Sequence, residues 1–424
     1  MRVGSRWTLR AGAFVLPLAV SPGTLDGVVL PKLAVAQLAA FALLGVWLWH
    51  WVVAGRSAAR RTPLDLPLLA WGASAVLSTI FATNRNVAVF GTYFRYQGLV
   101  TILTCAALLW LAVQTLDTRE EVRGVLRSLM AAAYIVALIS VIQSLAATAA
   151  SSRSGVETAF TFGGWVRASG TFGNADYLGI FLAMVLPFAV RELIDAGPGF
   201  GRLLWANVAA VMAVALLLTF SRGAWLGTVV GVAIAAISRL RVPRPREAAI
   251  VGIVISLVLV SAALMGIQNR SPVSAILARA SSLADPTVGT GGTRLQIWGD
   301  TLHLIAARPV AGWGPDTFGL VFPSFQTGDW TPGAQIDRAH SDLLDVASSQ
   351  GLLGVGAYLW LLGAIALAFW RGRRRQGSMA AAGAVAAYFV SMLVNFAWVP
   401  ATAPFWLVLA AAVATWTQPA EDGA

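Results

Sequence analysis

Residues 203–238 read LLWANVAAVMAVALLLTFSRGAWLGTVVGVAIAAIS, and this run of 36 residues contains a single charged side chain, Arg222. About 20 apolar residues are needed to cross the hydrocarbon core of a bilayer. The run therefore predicts two transmembrane helices with almost no loop between them. Arg222 then lies at, or just within, one edge of the bilayer, where an arginine needs an anionic partner or a water-filled cavity.

The composition of the whole chain agrees with this stretch. Of its 424 residues, 58% are hydrophobic and 12% are charged, whereas an ordinary soluble domain carries about 25% charged residues. A soluble enzyme is excluded, because a globular protein has too little interior to bury so much apolar surface. Nucleic acid is not an expected partner despite the net charge of +11, because the basic residues lie scattered between apolar runs. The single cysteine, Cys105, excludes a disulfide framework and a thiolate metal site.

Runs without charge predict an all-α, polytopic membrane protein with about twelve transmembrane helices, forming one integral membrane domain over residues 1–424. The runs are 11–25, 33–55, 66–84, 96–116, 128–152, 177–190, 203–221, 223–238, 248–269, 346–370 and 376–420. The last run is long enough for two helices. The first is expected to be a retained span, because no clean cleavage site follows it.

The basic residues predict the orientation of these spans. If the N-terminus lies in the cytoplasm and the sides alternate, 19 of the 30 basic residues fall in cytoplasmic segments, as the positive-inside rule requires. Both termini are then cytoplasmic. Eleven basic residues, Arg279 among them, lie outside. The one long outside segment is residues 267–340, between spans nine and ten, and a segment of this length is usually functional or disordered.

A short amphipathic helix is predicted within this long loop. Thr293 is a plausible N-cap, and Leu295, Trp298, Leu302 and Ile305 recur at helical spacing. The pattern indicates a helix on the membrane surface with Trp298 at headgroup depth. Arg294 gains nothing from the dipole in a first turn, which favours an external anion as its partner. A solvated surface arginine is the alternative.

His340 lies where the long loop joins span ten. A histidine at this junction titrates near neutrality and is able to act as a general base toward a hydroxyl group. The alternative is a helix-capping or interfacial histidine. Three further arginines enter spans from the same side, namely Arg95, Arg167 and Arg222. With Arg294 they predict a cationic pocket at headgroup level that suits a lipid-linked diphosphate, although snorkelling accounts for some of them.

Several segments resemble the O-antigen ligase family, whose superfamily also includes O-antigen polymerases and bacterial O-linked oligosaccharyltransferases. The strongest match is His340-Ser341, nine residues, Gly351, two residues and Gly354. The other similar segments are Phe172-Gly173-Asn174, Ser221-Arg222-Gly223, and Arg294 to Trp298 followed by Gly312-Trp313-Gly314. The likeness covers roughly residues 165–360.

The resemblance implies an enzyme in the bacterial inner membrane with its active site at the periplasmic face. Such a ligase transfers a glycan from undecaprenyl diphosphate to a sugar hydroxyl of lipid A–core, inverting the anomeric centre. His340 is the expected base, and Arg222, Arg294, Arg167 and Arg95 are expected to bind the diphosphate. Ser341, Asp342, Asn174 and Trp298 are expected to support them, with Asp342 and Asp345 placed to orient the histidine. No Asp-x-Asp motif occurs, so neither a metal nor a cofactor is expected.

Three alternatives remain open on the sequence. A surface-polysaccharide polymerase shares the donor and much of the architecture. A protein O-oligosaccharyltransferase ranks third, because such enzymes tend to have additional C-terminal sequence. A lipid-linked glycan transporter is the alternative without catalysis. It is expected to place charges along the depth of a cavity, whereas here the charges gather at the outer face.

Overall fold

The computed structural model describes residues 2–54, 59–154, 161–162, 164–237, 272–281, 290–327 and 336–417. These residues are almost entirely helical, with one two-stranded antiparallel hairpin, β1 (Thr161–Phe162) and β2 (Trp165–Val166). The helices are α1 (Arg2–Leu18), α2 (Val29–Ala54), α3 (Asp65–Ile80), α4 (Arg85–Phe90), α5 (Leu99–Thr115), α6 (Arg119–Ser154), α7 (Ala175–Asp195), α8 (Phe200–Leu218), α9 (Arg222–Ile237), α10 (Pro272–Ser281), α11 (Thr290–Ala307), α12 (Phe318–Val321), α13 (Asp342–Gly372), α14 (Ser378–Met392) and α15 (Val399–Thr417).

The all-α, multi-pass prediction is confirmed, whereas the number of twelve spans stays a prediction. Eleven of the twelve predicted spans fall on described helices, and the ninth, 248–269, lies outside the described residues. Among the described residues, six helices are long and apolar enough to cross a membrane, namely α2, α6, α7, α8, α13 and α15. The apolar helices α3, α5, α9 and α14 are shorter.

The core of the molecule is built around α15 and α7. Nearly every residue of α15 is buried, and this helix packs against α1, α2, α5, α6, α7, α13 and α14. Its sequence has no charged residue and is apolar on all sides, as is typical of a helix surrounded by others. The seven helices that contact α15 therefore surround it.

Glycines bring α9 and α14 into close contact. Gly223, Gly227 and Gly231 lie one turn apart on one face of α9. A Cβ atom on Gly227 would lie 2.5 Å from the Ala387 carbonyl oxygen, and one on Gly231 would lie 2.6 Å from that of Gly383. Small residues at this spacing let helix backbones approach in a membrane. This contact fixes the start of α9, and Arg222 with it.

Helix α13 is interrupted at Gly351, and the loop segment 309–314 packs into the interruption. Gly351 has φ 66° and ψ −162°, a backbone conformation that is essentially restricted to glycine. The broken helix exposes backbone groups that the segment satisfies. The four hydrogen bonds run from the amides of Leu352 to Pro309 O (2.7 Å), Leu353 to Val310 O (3.3 Å), Trp313 to Ser348 O (2.9 Å) and Gly314 to Ser349 O (2.9 Å).

Two glycine motifs noted in the sequence, Gly312-Trp313-Gly314 and the Gly351 of the His340 motif, form one structural unit. Gly312 and Gly314 both have positive φ, and a Cβ atom on Gly314 would contact Ala82 of the segment after α3. The Gly-Trp-Gly segment therefore lies between the break in α13 and the end of α3. The glycine that follows His340 by eleven positions makes the break into which this segment fits.

Replacing Gly351 by alanine is expected to destabilise the protein by about 3 kcal/mol, because the backbone conformation is unfavourable for alanine and its Cβ would meet the Val310 carbonyl. The measurement is the thermal unfolding midpoint in detergent. Gly356 of the same helix, whose Cβ position is open, is the control, and its alanine variant is expected to unfold at the same or a higher temperature. Equal midpoints for the two variants would contradict the account of the break.

The structure contains a helix in the long loop, with a start that differs from the predicted one. The helix, α11, begins at Thr290 rather than after an N-cap at Thr293, and Leu295 and Leu302 are exposed. Ile297 and Leu304 are buried instead, in a small apolar cluster with Phe318, Val321, Phe322 and Ala339. The buried face includes Asp300 and Thr301, which hydrogen-bond inside the loop. The exposed face with Leu295 and Leu302 is the one predicted to lie on the membrane surface, and that placement stays a prediction.

Candidate active site

The turn between α8 and α9 organises one side of the site. Arg167 Nε donates to the Thr219 carbonyl (2.7 Å), and Arg279 Nε donates to the Phe220 carbonyl (3.1 Å). Phe220 is fully buried with φ 50°. The Arg279 guanidinium also lies 4.8 Å from the ring centroid of Phe162 in the hairpin. One tight turn thus brings together an arginine from the β2–α7 connection and another from α10.

The carboxylate of Asp176 lies between these arginines. Asn174 caps α7, because its Oδ1 accepts the Asp176 amide at 2.8 Å, and Gly173 before it has φ 65°. The cap places Asp176 in the first turn of α7, where it accepts a hydrogen bond from Arg167 at 3.0 Å. The Gly-Asn pair therefore acts by positioning Asp176.

Arg222 and Arg294 lie within electrostatic range of Arg279 and extend the pair to a group of four arginines. The charges of Asp176, Arg222 and Arg167 all act on the Arg294 guanidinium. The charges of Arg222, Arg167, Asp176 and Arg294 act on that of Arg279. We call Arg167, Arg222, Arg279 and Arg294 the arginine cluster. It comes from four separate parts of the chain.

The electrostatics of the cluster favour an anion. Burial, followed by the repulsion from Arg222, lowers the pKa of Arg279 to about 10. Burial also lowers the pKa of Arg294, with Arg222 and Arg167 adding to the shift and Asp176 opposing it. Both side chains stay protonated at neutral pH. Four guanidinium groups thus lie within electrostatic range of one another, with the carboxylate of Asp176 nearby. A bound anion would relieve their mutual repulsion.

His340 lies beside the cluster in a constrained backbone conformation, with φ 54°. Both backbone groups of Ala339, the residue just before it, are hydrogen-bonded to side chains. The Ala339 carbonyl accepts the Trp298 indole N–H at 2.9 Å, and its amide donates to Asp345 Oδ1 at 3.0 Å. Non-glycine residues at positive φ cost energy and persist where neighbours enforce them. Trp298 and Asp345 therefore set the direction of the imidazole through the backbone.

Burial is the main cause that lowers the pKa of His340 to about 4, and the charge of Arg294 is the second. Asp337 and Asp176 raise this pKa, whereas Arg95 lowers it. The imidazole packs edge-on against Phe396, with ring centroids 5.3 Å apart. The histidine is therefore neutral at physiological pH, and this is the state that a general base requires.

Arg95 also acts on the charge of His340, but its ion-pair partner is a carboxylate other than Asp176. It forms an ion pair with Asp337 and lies over two aromatic rings, 5.0 Å from Phe396 and 5.2 Å from Trp398. The sequence grouped this residue with the diphosphate ligands. In the structure it joins the aromatic groups that surround His340.

A buried ion pair holds together the two segments that carry His340 and Arg95. Arg338 and Asp316 are both buried and bonded to each other. The other carboxylate oxygen of Asp316 accepts the amides of Thr92 (2.7 Å) and Gln97 (3.1 Å). The pair thereby ties the segment before His340 to the segment that carries Arg95. A cavity of about 100 Å³ lies alongside, lined in part by Arg338, Asp316 and Asp345.

Ser341 supports the site through its backbone, and Asp342 supports it through its side-chain carboxylate. Ser341 is the first residue before α13, and its carbonyl accepts the Asp345 amide at 2.9 Å. Asp342 accepts the Tyr358 hydroxyl at 2.6 Å and the Ala397 amide at 3.2 Å. Asp342 was expected to orient His340. Its bonds instead hold the chain next to Phe396, against which the imidazole packs.

The structure places Arg167 and Arg222 within electrostatic range of Arg294, and Arg294 within range of His340. That these residues form one diphosphate site stays a prediction. Sequence reasoning missed Arg279, the role of Asp176 and the contact with Phe396. No local pattern connects Arg279 to the distant Phe220 carbonyl. A signal for Asp176 was present, since a carboxylate directly after a Gly-Asn cap lies in the first turn of a helix.

Comparison with known families agrees with the resemblance noted in the sequence. The model of the O-antigen ligase family matches residues 207–359. The matched segment contains Arg222, Arg279, Arg294 and His340, whereas Arg167 and Asp176 precede it. No curated protein matches the chain. Residues 207–359, about a third of the chain, are therefore similar to the O-antigen ligase family.

Proposed function

We propose that this protein is a membrane glycosyltransferase of the O-antigen ligase type. It transfers a glycan from undecaprenyl diphosphate to a sugar hydroxyl of lipid A–core at the periplasmic face of the inner membrane. The observation that carries the proposal is the convergence of the arginine cluster beside a neutral histidine. The family match supports glycan transfer in a membrane.

The arginine cluster is proposed to hold the diphosphate. A guanidinium group pairs with phosphate oxygens through two parallel N–H bonds, and four such groups are able to contact both phosphates. The first turns of α7 and α9 carry Asp176 and Arg222, so two helix N-termini add their positive ends to the site. The cluster then stabilises the negative charge that grows on the leaving oxygen.

His340 is proposed to activate the acceptor. The hydroxyl oxygen attacks the anomeric carbon while its proton passes to the imidazole. The new C–O bond forms as the bond from the anomeric carbon to the phosphate oxygen breaks, and undecaprenyl diphosphate leaves with that electron pair. Attack opposite the leaving group inverts the anomeric centre. The charge of the bound donor offsets that of Arg294 and raises the pKa of His340, which strengthens the base.

The activity is expected to remain high in mildly acidic solution. A base with a pKa of about 4 stays neutral well below the ordinary histidine pKa of about 6.5. The ratio kcat/KM is therefore expected to be flat from about pH 8 to about pH 6 and to fall at lower pH as His340 gains a proton. Because the donor raises this pKa, kcat should fall at a higher pH than kcat/KM does. A half-maximal kcat/KM near pH 6.5 would contradict the assignment.

Transfer is also expected to be independent of divalent metal, because the cluster neutralises the diphosphate itself. The measurement is the transfer rate after exhaustive chelation, compared with the rate after readdition of Mg²⁺ or Mn²⁺. Rates within about twofold of each other are expected. A loss that metal restores would show that the arginines do not suffice.

The identity of the acceptor distinguishes a ligase from a polymerase and from a protein oligosaccharyltransferase. The purified protein would be given one donor together with lipid A–core, a unit-length lipid-linked glycan, or an acceptor protein, and the glycosylated product identified by mass. Transfer onto lipid A–core is expected. Transfer only onto another donor glycan would establish a polymerase, and transfer only onto protein would establish an oligosaccharyltransferase.

A further inference from the structure

A basic cavity lies at the opposite end of the helices that carry residues of the candidate active site. Helix α7 begins near Asp176 and ends near Arg191, and α13 begins near Asp342 and ends just before Arg374. Between these far ends lies a cavity of about 320 Å³. Its basic lining residues are Arg119, Arg123, Arg191, Arg374 and Arg375, and its acidic ones are Glu192 and Asp195. In the predicted orientation this end faces the cytoplasm.

The positive charge of this cavity is only partly compensated. Arg191 forms an ion pair with Asp195, and Glu192 lies 3.5 Å from Arg127, which is outside the lining. Among the residues that the structure describes, the side chains of Arg123 and Arg374 have neither a carboxylate within ion-pair distance nor a hydrogen bond. Two arginines from different segments thus line a concave space, and neither has a carboxylate partner within the described part of the chain.

The inner wall of the cavity is apolar. It is formed by Val122, Leu126 and Met130 of α6 together with Phe188 of α7 and Ala380 of α14. Basic residues that serve only to orient spans need no cavity, since the positive-inside rule counts charges and not their arrangement. Arginines at the rim and an apolar wall within match a phosphate group joined to hydrocarbon. Basic pockets between transmembrane helices on the cytoplasmic side bind anionic lipid headgroups.

We propose that this cavity binds a phosphate anion, supplied by the headgroup of an anionic phospholipid of the inner leaflet. Arg123 and Arg374 contact the phosphate, and the first part of the acyl chains lies along the wall of α6 and α7. The bound lipid joins the ends of α6, α7 and α14 and the connection that follows α13. Helices α7 and α13 carry residues of the active site at their other ends. Occupancy of the cavity therefore stabilises the helices that support the site.

The test uses the full chain, purified in a neutral detergent, and its thermal unfolding midpoint. Phosphatidylglycerol, phosphatidylcholine and inorganic phosphate are added in separate arms at matched concentrations. The pocket variant is Arg123→Gln/Arg374→Gln. The control, Arg61→Gln/Arg371→Gln, removes two exposed arginines from the same predicted side that do not line the cavity. Arg123→Lys/Arg374→Lys keeps the charge, and each variant is first compared with wild type without lipid.

Phosphatidylglycerol is expected to raise the midpoint of the wild type and of the control by several degrees, and phosphatidylcholine is not. The pocket variant should need at least tenfold more phosphatidylglycerol for the same shift, with the lysine variant between the two. Inorganic phosphate could also raise the midpoint as much as phosphatidylglycerol does, with the effect lost in the pocket variant. That result would overturn the proposal that a lipid supplies the phosphate and would indicate a site for free phosphate. Equal responses of the pocket variant and the control, or of the two lipids, would overturn the site itself.

Discussion

Replacing His340 by alanine is expected to reduce glycan transfer by a factor of about 10² to 10⁴, the usual contribution of a general base. Donor affinity is expected to change by less than about threefold, because the arginine cluster remains. This separation between chemistry and binding is the distinguishing result. The transfer rate and the donor dissociation constant are measured on the same preparation.

The backbone of His340 requires a second variant. Alanine is disfavoured at φ 54°, whereas asparagine adopts the left-handed region more readily. His340→Asn is therefore expected to fold like the wild type and to be as inactive as His340→Ala. His303→Ala is the control, since His303 is exposed on α11. Undiminished transfer by either His340 variant would remove the base assignment.

Replacing Arg294 by alanine is expected to weaken donor binding by a factor of about 10 to 100. A hydrogen bond to a charged group contributes about 1.5–3 kcal/mol, and Arg294 is well shielded from solvent in the cluster. Arg222→Ala and Arg279→Ala are expected to act in the same direction. The measurement is the dissociation constant for a lipid-linked diphosphate, determined by equilibrium binding at constant ionic strength.

The control for this series is Arg308→Ala. Arg308 belongs to the same long loop, but it is exposed and lies over the ring of Trp313, 4.2 Å from the ring centroid. Its loss is expected to leave donor affinity unchanged within about twofold. If Arg308→Ala and Arg294→Ala weaken binding equally, the attraction is a general one between a basic surface and an anion, and the cluster is not a specific site.

The helices followed well from the sequence because the charges mark their ends. Eleven predicted spans fall on described helices, since a charge-free run of sufficient length has few alternatives to a helix in a membrane. The face of α11 was harder to predict. Both of its sides carry leucine or isoleucine, and only the contacts with Phe322 and Ala339 decide which side is buried.

The site was predictable where residues sit at the ends of spans. Arg167, Arg222 and His340 each adjoin a predicted span, so topology alone places them on one side. Arg279 and Phe396 are different. Their roles depend on a carbonyl in the α8–α9 turn and on the approach of the α14–α15 connection to the loop. These are contacts between distant segments, which no local pattern encodes.

The most direct test of the central claim is to place the purified protein in sealed vesicles with a lipid-linked glycan donor and a sugar acceptor, and to follow the glycan. The account predicts that the glycan becomes attached to the acceptor, that one undecaprenyl diphosphate is released for each glycan transferred, and that the His340→Asn protein does neither. Movement of an intact glycan lipid from one leaflet to the other, with its diphosphate linkage unbroken and no glycosylated acceptor, would show a transporter and contradict the account.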